Sequence, residues 1–157
     1  QVRIDNISRI IEKSQYGIHD ISRTELDKST QSPRFNMPLE LGMFLGAKRY
    51  GAGRQKDKVC LILDREKYRY QSFISDIAGQ AIKAHDNDPQ IAITVIRNWL
   101  RNSSRRKTIP GGKKIYDRYC LFRKELPGLC KDMSVDEDEL TFNEYTNLIS
   151  DWLKETD

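Results

Sequence analysis

Three carboxylates, Asp20, Glu40 and Asp64, fall where the apolar runs of this chain begin or end. A carboxylate accepts hydrogen bonds, carries a proton or steadies positive charge, and its surroundings decide which. Asp20 closes the stretch Tyr16-Gly17-Ile18-His19-Asp20, and Asp64 closes Lys58-Val59-Cys60-Leu61-Ile62-Leu63-Asp64. Glu40 follows Asn36-Met37-Pro38-Leu39. Asn can cap free amides and Pro is tolerated in a first turn, so Glu40 is expected in the first turn of a helix. In parallel sheets, ligands collect beyond the carboxyl ends of the strands, where helix N-termini offer unpaired amides. The three carboxylates are thus placed to share one cleft suited to a nucleotide-like ligand.

The elements that hold them can be read from periodicity. Ile4, Ile7, Ile10 and Ile11 recur at helical spacing, which predicts an amphipathic helix over residues 2–13. The stretch ending at Asp20 suits a buried strand, residues 22–35 read as a polar loop, and the helix from Asn36 runs to about Tyr50 before Gly51-Ala52-Gly53 stops it. The continuous apolar run ending at Asp64 reads as a parallel-sheet strand. Strand, helix and strand in this order predict a right-handed crossover unit. No further strong strand is legible after Asp64. Helices are expected from Asp88-Pro89 onward through Ile91, Val95 and Trp99, over residues 115–126 with Pro127-Gly128 as the stop, and after a Thr141-to-Glu144 capping box. The predicted fold is α/β: a short parallel sheet with flanking helices and a helical C-terminal half. The length fits one domain, with residues 1–64 as a nucleotide-site core and residues 65–157 as a mainly helical extension.

Over residues 11–64, the run Ser14-Gln15-Tyr16-Gly17-Ile18-His19-Asp20, then Pro33-Arg34-Phe35-Asn36-Met37-Pro38-Leu39-Glu40-Leu41-Gly42, then the apolar strand resembles nucleoside 2-deoxyribosyltransferase-like and TIR-like proteins. The resemblance implies a flavodoxin-like or TIR-like core and an enzyme acting on an N-glycosidic bond, as hydrolase or transferase, with NAD, a nucleotide or a nucleoside as substrate. Carried over by motif, the catalytic glutamate is Glu40, stabilising or attacking an oxocarbenium-like centre. Asp20 would bind sugar hydroxyls or move a proton to the leaving base. Arg34 would hold a phosphate, helped by amides around Asn36, with Asp64 also at the ligand edge. The first strand of those folds has no counterpart here. Since the chain opens on Gln1 and runs straight into a helix pattern, a preceding segment is expected. Two other readings use the same fold: a nucleotide-sensing module without turnover, and a TIR-like interaction or assembly domain forming homo-oligomers.

Several other residues carry simpler explanations. His19 should alternate to the opposite face of its strand from Asp20, which favours a buried, hydrogen-bonded ring. Tyr68 and Tyr70 could stack on a base, although aromatic packing between helices is the commoner outcome. Asp76, His85 and Asp86 match no metal-ligand spacing, so neither a metal nor another cofactor is expected. Cys60 reads as a core residue, and the odd set of Cys60, Cys120 and Cys130 suits a reducing, cytoplasmic compartment. The apolar runs are far too short to cross a bilayer. A net charge of +4, with the basic residues around Arg101–Lys114 offset by the acidic tail near Asp132–Glu139, argues against nucleic acid as a partner.

Overall fold

The computed structural model describes residues 2–24 and 35–156. Helix α1 (Arg3–Lys13) leads into strand β1 (Tyr16–Asp20), helix α2 (Asn36–Tyr50) and strand β2 (Val59–Asp64). Two short 3-10 turns follow at Arg69–Ser72 and Ser75–Ile77, then strand β3 (Ile82–Ala84) and helices α3 (Pro89–Ser104), α4 (Gly112–Asp132) and α5 (Phe142–Thr156). The protein is α/β, with a short parallel sheet flanked by helices and a helical C-terminal half. Among the described residues, no helix is long and apolar enough to cross a membrane.

The strands pair in parallel in the order β1-β2-β3, with Tyr16 opposite Val59, Asp20 opposite Leu63, and Asp64 opposite Ala84. Strand β3 corrects the expectation that no strand follows Asp64. Its three residues, Ile82-Lys83-Ala84, are too few to show a period, and pairing to the apolar β2 is what makes them a strand.

Side chains alternate across the sheet, and the register carries this alternation from strand to strand. One face collects Gly17, His19, Cys60, Ile62 and Ile82, and packs with Leu41 and Phe44 of α2 and Ile11 of α1 into the main core. The other carries Tyr16, Ile18, Asp20 and Leu61 toward α3, where the rings of Tyr16 and Trp99 meet edge to face. Lys58 fixes the end of α1. Its buried ammonium donates to the carbonyls of Ile11 and Ser14, while burial, followed by the nearby charge of Arg54, pushes its pKa down.

The chain forms two compact units, Gln1–Ile109 and Pro110–Asp157. The sheet unit extends past Asp64 to include β3 and α3. In the second unit, Phe122, Leu126, Cys130 and Trp152 form a core of their own. Helix α4 does not stop at Pro127. A proline inside a helix removes one hydrogen bond, and here the apolar stripe of Phe122, Leu126 and Cys130 continues through it to Asp132. Helix α5 begins with the expected capping box, in which Glu144 accepts from the Thr141 amide at 2.8 Å and the Glu144 amide donates to Thr141 Oγ1.

Candidate functional site

A helix that crosses over between parallel strands runs antiparallel to them, which places the start of α2 at the carboxyl edge of the sheet. Phe35 occupies the cap position, and Asn36 is the first helical residue, exposed and without a capping bond, which corrects the cap predicted at Asn36. Glu40 consequently falls just beyond the first turn. Its side chain is 20% exposed, and its nearest cation among the described residues is Arg3 of α1, at 3.9 Å.

Glu40 borders a pocket of about 260 Å³ between α1, β1 and α2, roofed by Ile7, Ile10 and Ile11 and floored by Gly17, His19 and Phe44. His19 is buried, as alternation required, and its ring meets Phe44 edge to face at 5.2 Å. Among the described residues its Nε2 is buried without a hydrogen-bond partner. Burial pushes the His19 pKa down, so the ring favours its neutral form. A neutral imidazole with an unused nitrogen in a mainly apolar pocket is a specific hydrogen-bonding position.

Asp20 and Asp64 lie elsewhere. Asp20 is on the α3 face of β1, and its side chain is 48% exposed. Its Oδ1 accepts from the Ser22 amide at 2.9 Å and lies 3.5 Å from Nε2 of His85. Asp64, on the α2 face, is fully buried. Its Oδ1 takes the Arg65 amide at 2.8 Å and Nε of Arg69 at 2.7 Å, and Arg69 reaches on to the Ile21 carbonyl and Thr24 Oγ1. Asp64 thus pins the end of β2 to the segment leaving β1, and it presents no exposed ligand group. The carboxylates expected in one cleft occupy three surroundings because strand alternation sends Asp20 away from the helix that carries Glu40.

Tyr70 is buried in the core with Ile77 and packs rather than binds. Tyr68 is 69% exposed and holds a left-handed backbone with φ of 63°. Arg34 lies outside the described residues. Among the described residues, no group of three or more His, Cys, Asp or Glu side chains is placed to hold a metal ion.

His85 was set aside in the sequence as a metal ligand of the wrong spacing, yet it is the residue that joins Asp20. It follows β3, and its amide continues the ladder by donating to the Asp64 carbonyl at 2.9 Å. Asp86 and Asn87 then take φ of 52° and 57°, and Asp88 caps α3 by accepting from the amides of Gln90 and Ile91. Successive left-handed residues outside glycine are costly and cluster at functional sites. The run His85-Asp86-Asn87-Asp88-Pro89 does carry a signal for this turn, since Asp and Asn tolerate that conformation and Pro suits a helix start.

No protein-family model, curated protein or solved structure matches the chain.

Proposed function

We propose that this protein binds a nucleoside or nucleotide at the carboxyl edge of its sheet and cleaves or transfers at the N-glycosidic bond, with Glu40 at the reacting carbon. The observation that carries this reading is a four-fifths-buried carboxylate sharing a mainly apolar pocket with the unpartnered nitrogen of His19. As the bond from the anomeric carbon to the base nitrogen breaks, its electron pair leaves with the base. The sugar becomes cationic, and a carboxylate in a pocket of low polarity stabilises that charge far more than one in water. Water or a second acceptor then completes hydrolysis or transfer. The resemblance over residues 11–64 supports the same role for Glu40, and NAD is a substrate of this class.

The full chain incubated with NAD and a panel of ribo- and deoxyribonucleosides should release free base, read by chromatography. Glu40→Gln should slow release by at least about 100-fold while leaving ligand-induced thermal stabilisation in place. Base release that Glu40→Gln does not change would refute the assignment. One observation favours a second reading, a nucleotide sensor without turnover: Asp20, the proton carrier implied by the resemblance, lies on the opposite face of β1 from Glu40. Ligand stabilisation without base release from any substrate would select it.

A further inference from the structure

We propose that the hairpin of α4 and α5 is a dimer interface, in which the acidic, phenylalanine-bearing turn of each copy enters the basic, aromatic groove of the other. This surface lies wholly in the second unit and outside residues 11–64, so it stands apart from both the resemblance and the nucleoside reading.

Arg118 bonds to Thr156 and Phe122 meets Trp152, so the two helices run antiparallel. One end of the hairpin is the turn from Met133 to Thr141, and the other holds the start of α4 and the end of α5. Toward that second end, Ile115, Tyr119 and Phe122 of α4 and Ile149, Trp152 and Leu153 of α5 line a groove of about 410 Å³. The indole N–H of Trp152 already donates to Glu125 at 2.6 Å, so the floor calls for apolar contact rather than a further hydrogen bond. Lys114 and Arg118 border the groove, and among the described residues no acid lines it. On the same stretches, Asp117 and Asp151 are occupied by Lys113 and Lys154 at 2.9 and 2.8 Å. An apolar anchor flanked by negative charge matches such a groove.

The turn supplies that chemistry. Phe142, the first residue of α5, is 79% exposed, and Met133 at the end of α4 is exposed as well. Aromatic rings dominate interface energetics, and this one is left in water by its own chain. Asp136, Asp138 and Glu139 precede it and make no ion pair among the described residues, whereas Glu137 is held by Arg123 at 2.7 Å. Roughly 16 Å of α4 separates Phe122 from Met133, so the turn cannot reach the groove of its own hairpin. Both halves of the complementarity lie on one chain, which commits the occupant to a second copy. Two hairpins laid side by side in opposite directions bring each turn to the other's groove. The same contact then forms twice around a twofold axis, and the assembly closes at two chains. A pair of helices with a buried core of Phe122, Leu126, Cys130 and Trp152 thereby becomes a four-helix packing.

The test is sedimentation equilibrium of the full chain, comparing wild type with Phe142→Ser, with Lys114→Glu, and with Lys114→Glu combined with Asp136→Lys, Asp138→Lys and Glu139→Lys. Wild type should form a dimer that weakens as salt rises, since screening acts on the charged part of the contact. Phe142→Ser should weaken it at least about 30-fold, the loss of a central anchor, with helix content by circular dichroism unchanged because the ring is exposed within one copy. Lys114→Glu should weaken it about tenfold, and the combination, which reverses both signs, should recover most of that loss. If helix content falls in Phe142→Ser, the charge pair decides alone. Dimers that Phe142→Ser leaves intact with its helices intact, or a combination that recovers nothing, would overturn the pairing of turn with groove. So would a wild type that stays monomeric at millimolar concentration, which leaves the groove to a different ligand, or a mass that keeps growing with concentration, the mark of an open head-to-tail contact.

Discussion

Replacing Asp64 by Asn tests whether a buried ion pair organises the carboxyl edge. The substitution keeps the shape and removes the charge that faces Arg69, whose side chain is 13% exposed and 2.7 Å from Asp64 Oδ1. Breaking a buried pair by removing one partner costs about 3–5 kcal/mol, because the other charge stays buried and uncompensated. Two features lower that figure here. Arg69 keeps its bonds to the Ile21 carbonyl and Thr24 Oγ1 and stacks over Phe73 at 4.8 Å, and the Asn oxygen can still accept from the Arg65 amide. The expected loss is therefore about 2–3 kcal/mol. Native-state hydrogen exchange reads this within the sheet unit alone, at the amides of Ile21, Ile62 and His85, which donate to the carbonyls of Leu63, Ala81 and Asp64. Their exchange should accelerate roughly 30- to 150-fold. A change of less than about threefold would mean that Asp64 and Arg69 contribute little, and that packing alone holds the segment after β1. The double change Asp64→Leu with Arg69→Met should recover much of the protection, since apolar replacement of a buried pair is often neutral or better.

Two further outcomes follow from the floor of the Glu40 pocket. An added Cβ at Gly17 would lie 2.8 Å from Phe44 Cε2 and 2.9 Å from His19 Nε2, so Gly17→Ala should cost about 1–3 kcal/mol and weaken nucleoside binding, checked by denaturant titration and calorimetry. For His19, burial places the folded-state pKa below the ordinary 6.5, so the unfolded chain binds the extra proton first as pH falls. The stability associated with the neutral ring is complete above pH 6.5 and is lost as pH drops from there through the folded pKa. Melting temperatures between pH 7.5 and 5 should fall less steeply in His19→Gln than in wild type, and parallel slopes would refute the assignment.

Much of the sheet unit was legible because its signals are local. Val59 to Leu63 could hardly be anything but a parallel strand, and isoleucines spaced for a helix became α1 within one residue of the expected start. Where the reading failed, a distant partner outweighed the local preference. Ile82-Lys83-Ala84 is a strand only because β2 is beside it, and Pro127 stays within α4 only because Leu126 and Cys130 are buried against Trp152. The site divided in the same way. Glu40 could be singled out because it follows a recognisable helix start. The partnership of Asp20 with His85 could not, because 65 positions separate them and only the order β1-β2-β3 brings them together.

Alternation along β1 separates the two carboxylates that sequence alone had grouped together. His19 and Asp20 are adjacent in sequence, so their Cα atoms are only about 3.3 Å apart along the strand, yet one side chain joins the Glu40 pocket and the other faces His85. The strand does not end in open space at Asp20, because the Ile21 amide continues the pairing to the Leu63 carbonyl and Ile21 is fully buried. Glu40 therefore keeps a mainly apolar surrounding beside the unpartnered nitrogen of His19, while Asp20 keeps a half-exposed one beside His85, and a carboxylate's chemistry follows its surroundings.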